Sequence, residues 1–304
     1  MLPFAPFSLD APDTWPTAHA LLAEPGARLV AGGTDLLPSM KHRIFRPGLL
    51  VSVRRLPGLR TVDETPDGGL QLGAGITLRE VSRLAAVRAR YPALAAACAT
   101  VATPTIQAMA TLGGNVMLDT RCVYYNQPEG WRAGIGGCLK CEGSVCHVAP
   151  KGKGCYAAHS ADTVPVLWLY GARLVLSSAA GERVVPISEM YRDDGIAWHG
   201  ALPGEVLTRV ILPPPSASVV HRKGRIRAAI DYGFLLVAAS RSAEGYRAVV
   251  SAIGPRPIEV TGATPEALAE AAFLAAQPLG THLQPAPWRK KMVRVEVRRV
   301  SSVL

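Results

Sequence analysis

The sequence lacks several features that would assign it to a familiar class of protein. No apolar run among its 304 residues is long enough to cross a bilayer. The most apolar segment, residues 163–176, is interrupted by Pro165, Gly171 and Arg173, which favours a buried helix followed by a buried strand. The first residues show neither a basic n-region nor a continuous apolar h-region, so they predict no signal peptide. We therefore expect a cytoplasmic protein without a membrane partner, whose thiols stay reduced.

Two common nucleotide-binding motifs are also missing. No G-x-G-x-x-G follows a strand, which argues against a Rossmann dinucleotide site, and no G-x-x-x-x-G-K-[ST] is present. The net charge is +10, but basic residues are concentrated only at 288–299 and no nucleic-acid-binding module accompanies them. We expect no nucleic-acid partner, and we interpret this segment as a solvated or subunit-facing helix. A basic surface can also attract an acidic electron-carrier protein.

The composition supplies enough apolar residues for a large core. Apolar residues make up 49% of the chain and charged residues 18%, as in a globular protein with room for two domains. Apolar periodicity predicts alternating strands and helices, including a strand from 27 that enters a Gly-Gly turn and a hairpin over 59–77. Three consecutive prolines, 213–215, predict a domain boundary. Beyond them, strand-like segments and two helices predict a smaller α+β unit.

Two Gly-Gly turns share one design. AGGTDL (31–36) and TLGGNV (111–116) each follow an apolar stretch, place two glycines in a tight turn and then offer a small polar residue. Glycines permit positive φ and let backbone N–H groups converge on an anion. Two such turns can hold the two ends of a pyrophosphate, although a single Gly-Gly is more often an ordinary turn.

Five of the six cysteines lie within one Gly-rich segment, with Cys98 alone elsewhere in an Ala-rich helix. Disulfides are disfavoured by the predicted compartment. Structural zinc commonly uses two tight pairs, and Cys138-x2-Cys141 is the only C-x2-C pair. An iron–sulfur cluster needs four thiolates on a loop that can wrap around it, which the glycines permit. The spacing favours a metal centre over free thiols and does not separate zinc from iron.

Several motifs resemble a known family. LVAGGTDLLP and TIQAMATLGGNV, followed by SADTVPVLWLYGARLVL, PGEVLTRVILP, KGRIRAAIDYG and IGPRPIEV, occur in the order found in the flavoprotein subunits of the molybdenum hydroxylases. This is the xanthine dehydrogenase and carbon monoxide dehydrogenase family. The resemblance implies an α+β protein with a two-part α/β FAD-binding domain of the PCMH type at 1–215, with subdomains at about 1–57 and 58–215. A small C-terminal α+β domain, similar to that of the carbon monoxide dehydrogenase flavoproteins, would follow at 216–304.

The cysteine-rich segment is an insertion relative to ordinary members of this family. The insertion, residues 119–158, is called the cysteine loop below. It resembles the loop of one relative in the family, the beta subunit of 4-hydroxybenzoyl-CoA reductase, which carries a [4Fe–4S] cluster. That resemblance implies iron ligation by Cys122, Cys138, Cys146 and Cys155. Cys141 would then be an extra thiol, and the C-x2-C pair would not be a ligand pair.

The same resemblance implies the FAD contacts. Asp162 could accept a hydrogen bond from ribose or adenine donors, and it also suits the N-terminus of a helix. IDYG (230–233) stands where members of the family commonly have a Phe-Pro pair after the aspartate. The implied FAD-contacting residues are Leu29, Val30, Ala31, Gly32, Gly33, Thr34, Asp35, Leu36, Thr111, Leu112, Gly113, Gly114, Asn115, Asp162, Leu207 and Lys223.

The implied function is electron transfer without a catalytic residue on this chain. The partners would be a large subunit with the molybdenum cofactor and a small subunit with two [2Fe–2S] clusters, in a dimer of heterotrimers. In the reductase, electrons from ferredoxin would pass through the cluster and FAD to the [2Fe–2S] centres and molybdenum, where 4-hydroxybenzoyl-CoA is dehydroxylated to benzoyl-CoA during anaerobic aromatic degradation. One alternative is another molybdenum hydroxylase with a different aromatic or heterocyclic substrate. A second is a zinc-stabilised assembly protein without redox function.

Overall fold

The computed structural model describes residues 2–304, and their elements form three sheets with associated helices. The first sheet is parallel, in the order β1-β3-β2. Helix α1 begins after Thr14, whose hydroxyl accepts a hydrogen bond from the Thr17 N–H group, with Pro16 in the first turn. The elements of this part are β1 (Ser8–Asp10), α1 (Trp15–Leu22), β2 (Ala27–Val30), α2 (Leu36–Lys41) and β3 (Leu49–Ser52).

The second sheet is antiparallel and has the strand order β4-β5-β8-β6-β7. The predicted hairpin over 59–77 is confirmed by the antiparallel pairing of β4 with β5. The cysteine loop leaves and rejoins this part of the chain between α7 and α9. The elements are β4 (Val62–Glu64), β5 (Leu70–Gly73), α3 (Leu78–Val81), α4 (Ala85–Arg90), α5 (Pro92–Ala99), α6 (Pro104–Gln107), α7 (Leu112–Val116), α8 (Glu129–Gly134), α9 (Val164–Leu169), β6 (Arg173–Ser178), β7 (Gly181–Pro186), α10 (Ile187–Met190) and β8 (Val206–Leu212).

The third sheet is antiparallel, in the order β12-β11-β10-β9, and two helices pack on it. Val293 and Val297 of α12 share a buried cluster with Leu235 and Val237 of β10, because apolar residues recur every three to four positions along the helix. The elements are β9 (Ser218–Gly224), β10 (Leu235–Ser242), β11 (Gly245–Ser251), β12 (Ile258–Gly262), α11 (Pro265–Ala275) and α12 (Ala286–Ser301).

A continuous core joins the second sheet to its helices. Leu72 of β5 and Leu174 of β6 are fully buried and belong to one cluster with Leu167 of α9. This core confirms the expectation for residues 163–176, which form the buried helix α9 and the largely buried strand β6. No helix within residues 2–304 combines the length and apolar character needed to span a membrane.

Candidate functional site

A cleft of about 1030 Å³ lies where the three sheets meet. The first sheet contributes Leu29 of β2, and the second contributes Leu207 of β8. Thr111, which caps α7, also lines the cleft. Lys223 of β9 and Tyr232 of the β9–β10 connection close it from the third sheet. Because ligand sites favour places where structural units meet, this cleft is the candidate cofactor site.

The first Gly-Gly turn forms one wall and offers unused hydrogen-bond donors. It joins β2 to α2, and Gly33 has a φ of +70°, a conformation that glycine adopts without strain. Within residues 2–304, the N–H groups of Gly32, Gly33 and Thr34 donate to no other protein group. All three residues line the cleft. Such a set of unpaired backbone donors suits a ligand phosphate.

The two Gly-Gly turns are held together by a close backbone contact. A Cβ atom on Gly32 would lie 1.9 Å from the carbonyl oxygen of Met109, just ahead of the second turn. A Cβ atom on Gly113 would lie 2.7 Å from the Cβ atom of Ala74. Glycine at 32 and 113 therefore permits approaches that no other residue type would allow without movement of the chain.

The second Gly-Gly turn differs from the expectation in two ways. Gly113 and Gly114 lie in helix α7, and neither has a positive φ, so they do not form the predicted tight turn. The segment, still called the second turn, also does not present free N–H groups. The N–H groups of Leu112 and Gly113 donate to the carbonyl oxygens of Ile76 and Ala74, at 2.9 and 2.8 Å. The N–H group of Gly114 donates to the Thr111 hydroxyl at 3.1 Å, which caps α7. Because these N–H groups already donate within the protein, they are not free for a ligand. The free N–H donors at the cleft belong to the first turn.

Asn115 connects the second turn to a buried ion pair. Its side-chain oxygen accepts hydrogen bonds from the backbone N–H and the hydroxyl of Thr163, at 3.1 and 2.7 Å. The adjacent Asp162 carboxylate lies 2.7 Å from the Lys223 ammonium, and their side chains are 6% and 3% exposed. Burial raises the pKa of Asp162, and the Lys223 charge opposes that rise. The cleft therefore contains a carboxylate acceptor held in place by a lysine.

The structure brings nearly all the predicted FAD-contacting residues to this cleft. Fifteen of the sixteen line it, and the exception is Leu112, whose side chain is fully buried in the core beneath the second turn. Sequence reasoning missed Arg28, Tyr125 and Lys140, which also line the cleft. Tyr125 and Lys140 lie in the cysteine loop, and no sequence motif signalled their return to the cleft.

Two arginines attach the cysteine loop to the first part of the chain. Arg132, fully buried, donates to the carbonyl oxygens of His42, Arg43 and Gln127 and pairs with Glu142. His42 and Arg43 follow α2, the helix that starts at the first Gly-Gly turn.

Arg121 reaches the first Gly-Gly turn itself. Its guanidinium lies 2.6 Å from the Asp35 carboxylate and stacks 3.7 Å from the centre of the Tyr232 ring. Tyr232 belongs to the third part of the chain, so this contact joins the cysteine loop to both sides of the cleft. The cysteine loop is therefore packed against the rest of the protein.

All the cysteines of the loop are free thiols. Three of these side chains are buried, those of Cys138, Cys146 and Cys155, and Cys122 is partly buried. Burial raises the pKa of the Cys122 thiol to about 11. Burial also raises the pKa of Cys155. Among the described residues, no group of three or more His, Cys, Asp or Glu side chains is arranged to hold a metal ion. The donor chemistry suits a cluster, and its ligation stays a prediction.

Comparison with known proteins identifies the relatives of this chain. Residues 5–215 match the family model described as FAD binding domain in molybdopterin dehydrogenase. The aldehyde oxidoreductase FAD-binding subunit of Escherichia coli K12 is 32% identical over 261 residues, covering 82% of each chain. The xanthine dehydrogenase FAD-binding subunit of Escherichia coli O157:H7 is 28% identical over 69% of this chain and 60% of its own length.

Solved structures show the same fold. The crystal structure of quinoline 2-oxidoreductase from Pseudomonas putida 86 superimposes with a TM-score of 0.80 at 22% identity, over 99% of this chain and 98% of the other. The α+β fold predicted from the sequence is confirmed. The domain limits at 215 and 216 stay a prediction, and the chain passes from the second sheet to the third between Leu212 and Ser218.

Proposed function

Because this chain belongs to the family of FAD-binding domains in molybdopterin dehydrogenases, we propose that it is the FAD-carrying electron-transfer subunit of a cytoplasmic molybdenum hydroxylase complex. The observation that carries the proposal is the set of unpaired backbone N–H groups at Gly32, Gly33 and Thr34, three residues that line the cleft. Bound FAD would supply a centre that accepts one or two electrons. Its pyrophosphate matches these donors in charge and hydrogen-bonding capacity.

The other cleft residues would orient the cofactor. Asp162, held by Lys223, is an acceptor for an N–H or O–H donor of the FAD. Leu207 gives an apolar contact surface at the same cleft. As the chemistry on the complex's substrate needs no acid or base from this chain, we assign no catalytic residue here. The proposed partners are the molybdenum-cofactor and [2Fe–2S] subunits, in a dimer of heterotrimers.

We further propose that the cysteine loop binds a [4Fe–4S] cluster through Cys122, Cys138, Cys146 and Cys155. The support is chemical: the loop holds five free thiols, among them the four proposed ligands, and two buried or partly buried arginines fix it to the rest of the chain. A cluster requires four thiolates, and nearby backbone N–H groups tune its potential.

Replacement of Cys122 by serine is expected to remove the iron. Parent protein purified anaerobically should contain about four irons per chain and give an EPR signal after dithionite reduction. Cys122→Ser should lose most of this iron, because a serine oxygen is a poor substitute for a thiolate ligand. Cys141→Ser, the matched control in the same loop, should retain it. Zinc in place of iron would favour a structural zinc site, and a loop without metal in the parent would contradict the proposal.

We propose two candidate substrates for the complex. The resemblance of the cysteine loop favours 4-hydroxybenzoyl-CoA reduction with ferredoxin as the electron donor. Aldehyde oxidation is the second candidate, favoured by 32% identity to an aldehyde oxidoreductase subunit over 82% of each chain. Activity assays on the complex, purified with its partner subunits, distinguish the two candidates. The reductase proposal predicts formation of benzoyl-CoA with reduced ferredoxin. The aldehyde proposal predicts that an aldehyde reduces an artificial electron acceptor.

A further inference from the structure

The cysteine loop supplies part of the wall of the candidate FAD cleft. Asp119, Tyr125 and Lys140 all line it. These residues lie far apart within the loop, one at its start and one beside Cys141, so the wall exists only when the loop is folded. A ligand bound in the cleft would therefore contact the cysteine loop directly.

Lys140 fixes this wall. Its ammonium lies 2.6 Å from the Asp119 carboxylate, 3.1 Å from the Thr120 carbonyl oxygen and 2.5 Å from the Thr120 hydroxyl. These three bonds use all its donors, and the side chain is only 7% exposed. It also lies 4.4 Å from the centre of the Tyr125 ring, whose hydroxyl donates to Asp119 at 2.9 Å. One buried cation thus joins the start of the loop to its middle.

The same contacts continue to the backbone of Cys155. The Thr120 hydroxyl donates to the Gly195 carbonyl oxygen at 2.5 Å, and the Gly195 N–H group donates to the Cys155 carbonyl oxygen at 2.8 Å. A Cβ atom on Gly195 would lie 2.7 Å from the Cys155 sulfur. The next residue along, Ile196, lines the cleft. A short hydrogen-bonded path therefore connects the Lys140 ammonium with the backbone at Cys155. Lys140 itself lies between Cys138 and Cys141 in the sequence.

We infer that Lys140 is a positioning residue that holds the cysteine loop in place as a wall of the FAD site, so that FAD retention and the order of the loop are coupled. The inference rests on the proposed binding of FAD. Coupling between two sites is reciprocal: if an ordered loop strengthens FAD binding, bound FAD must stabilise the loop by the same factor. This reciprocity distinguishes the inference from a purely local structural role.

The test compares FAD release from folded variants of the full chain. Lys140→Met should release FAD about tenfold faster than the parent, a size typical of coupled sites, as followed by the fluorescence of free flavin after dilution. Lys140→Arg, which keeps the charge, should release FAD at a rate between those of the parent and Lys140→Met. Lys151→Met is the matched control because this lysine is exposed in the same loop, and it should release FAD at the parent rate.

The reciprocal arm uses the parent protein, so it does not depend on whether a variant folds. Addition of FAD to the FAD-free protein should slow hydrogen exchange at backbone amides of residues 121–158. Release of FAD from Lys140→Met at the parent rate, or exchange in this loop that FAD leaves unchanged, would overturn the inference. A parent protein that binds no FAD at all would contradict the proposed function itself, which separates the two failures.

Discussion

Gly32→Ala is expected to weaken FAD binding severely. The added Cβ atom would lie 1.9 Å from the Met109 carbonyl oxygen and 2.6 Å from its carbonyl carbon, both backbone atoms. Overpacking costs about 1–3 kcal/mol even where side chains can adjust. Here the two Gly-Gly turns must separate, which displaces the N–H donors of the first turn. We expect a loss of FAD affinity of at least about a hundredfold, equivalent to about 2.8 kcal/mol.

The measurement is the Kd for FAD, determined by quenching of flavin fluorescence with the FAD-free chain. Gly48→Ala is the matched control, because a Cβ atom there has no neighbouring atom within 4 Å. Both variants should give the same circular dichroism spectrum as the parent. If the folded Gly32→Ala protein bound FAD with the parent Kd, the close approach of the turns would have no part in the site.

Lys223→Met is expected to lower the free energy of unfolding of the FAD-free protein by about 3–5 kcal/mol, the usual cost of leaving one charge of a buried pair without its partner. The Asp162 carboxylate is 6% exposed, and Lys223 is its ion-pair partner at 2.7 Å. Urea unfolding at pH 7.5 measures the effect. Replacement of both residues, by Lys223→Met with Asp162→Leu, should recover most of the loss, because it leaves no buried charge.

The pH dependence of this variant follows from the sign of the pKa shift. Burial raises the pKa of Asp162 in the folded protein, and the loss of the Lys223 charge raises it further. A carboxyl group with a raised folded pKa favours folding below its unfolded pKa of about 3.9, and this contribution is lost as pH rises through the folded pKa. The destabilisation by Lys223→Met should therefore be smaller at pH 5 than at pH 8. Equal destabilisation at both values would mean that Asp162 is not the group left unpaired.

Local signals in the sequence predicted much of the fold. The apolar periodicity over 59–77 predicted the β4–β5 hairpin, and the strand predicted before the first Gly-Gly turn is present as β2. These features depend on residues close together in the chain. The order of strands in the second sheet, with β8 between β5 and β6, depends on pairings between distant segments, and periodicity carries no information about them.

The sequence predicted which residues line the candidate site better than it predicted their hydrogen bonds. The sequence pointed to both Gly-Gly turns as equivalent, but only the structure shows that the carbonyl oxygens of Ala74 and Ile76 occupy the donors of the second turn. The contacts of Lys140 and Arg132 likewise bring together segments separated by up to 90 residues. A lysine or arginine in a polar loop is usually solvated, so its burial has no local signal.

The central claim, that this chain is an FAD-carrying subunit, is tested most directly by the flavin content of the purified chain. The protein would be purified anaerobically, its visible spectrum recorded, and the flavin released by denaturation identified by chromatography. The account predicts flavin absorption bands and close to one FAD per chain, after incubation with FAD if some is lost in purification. Folded protein that neither contains FAD nor binds added FAD would contradict it.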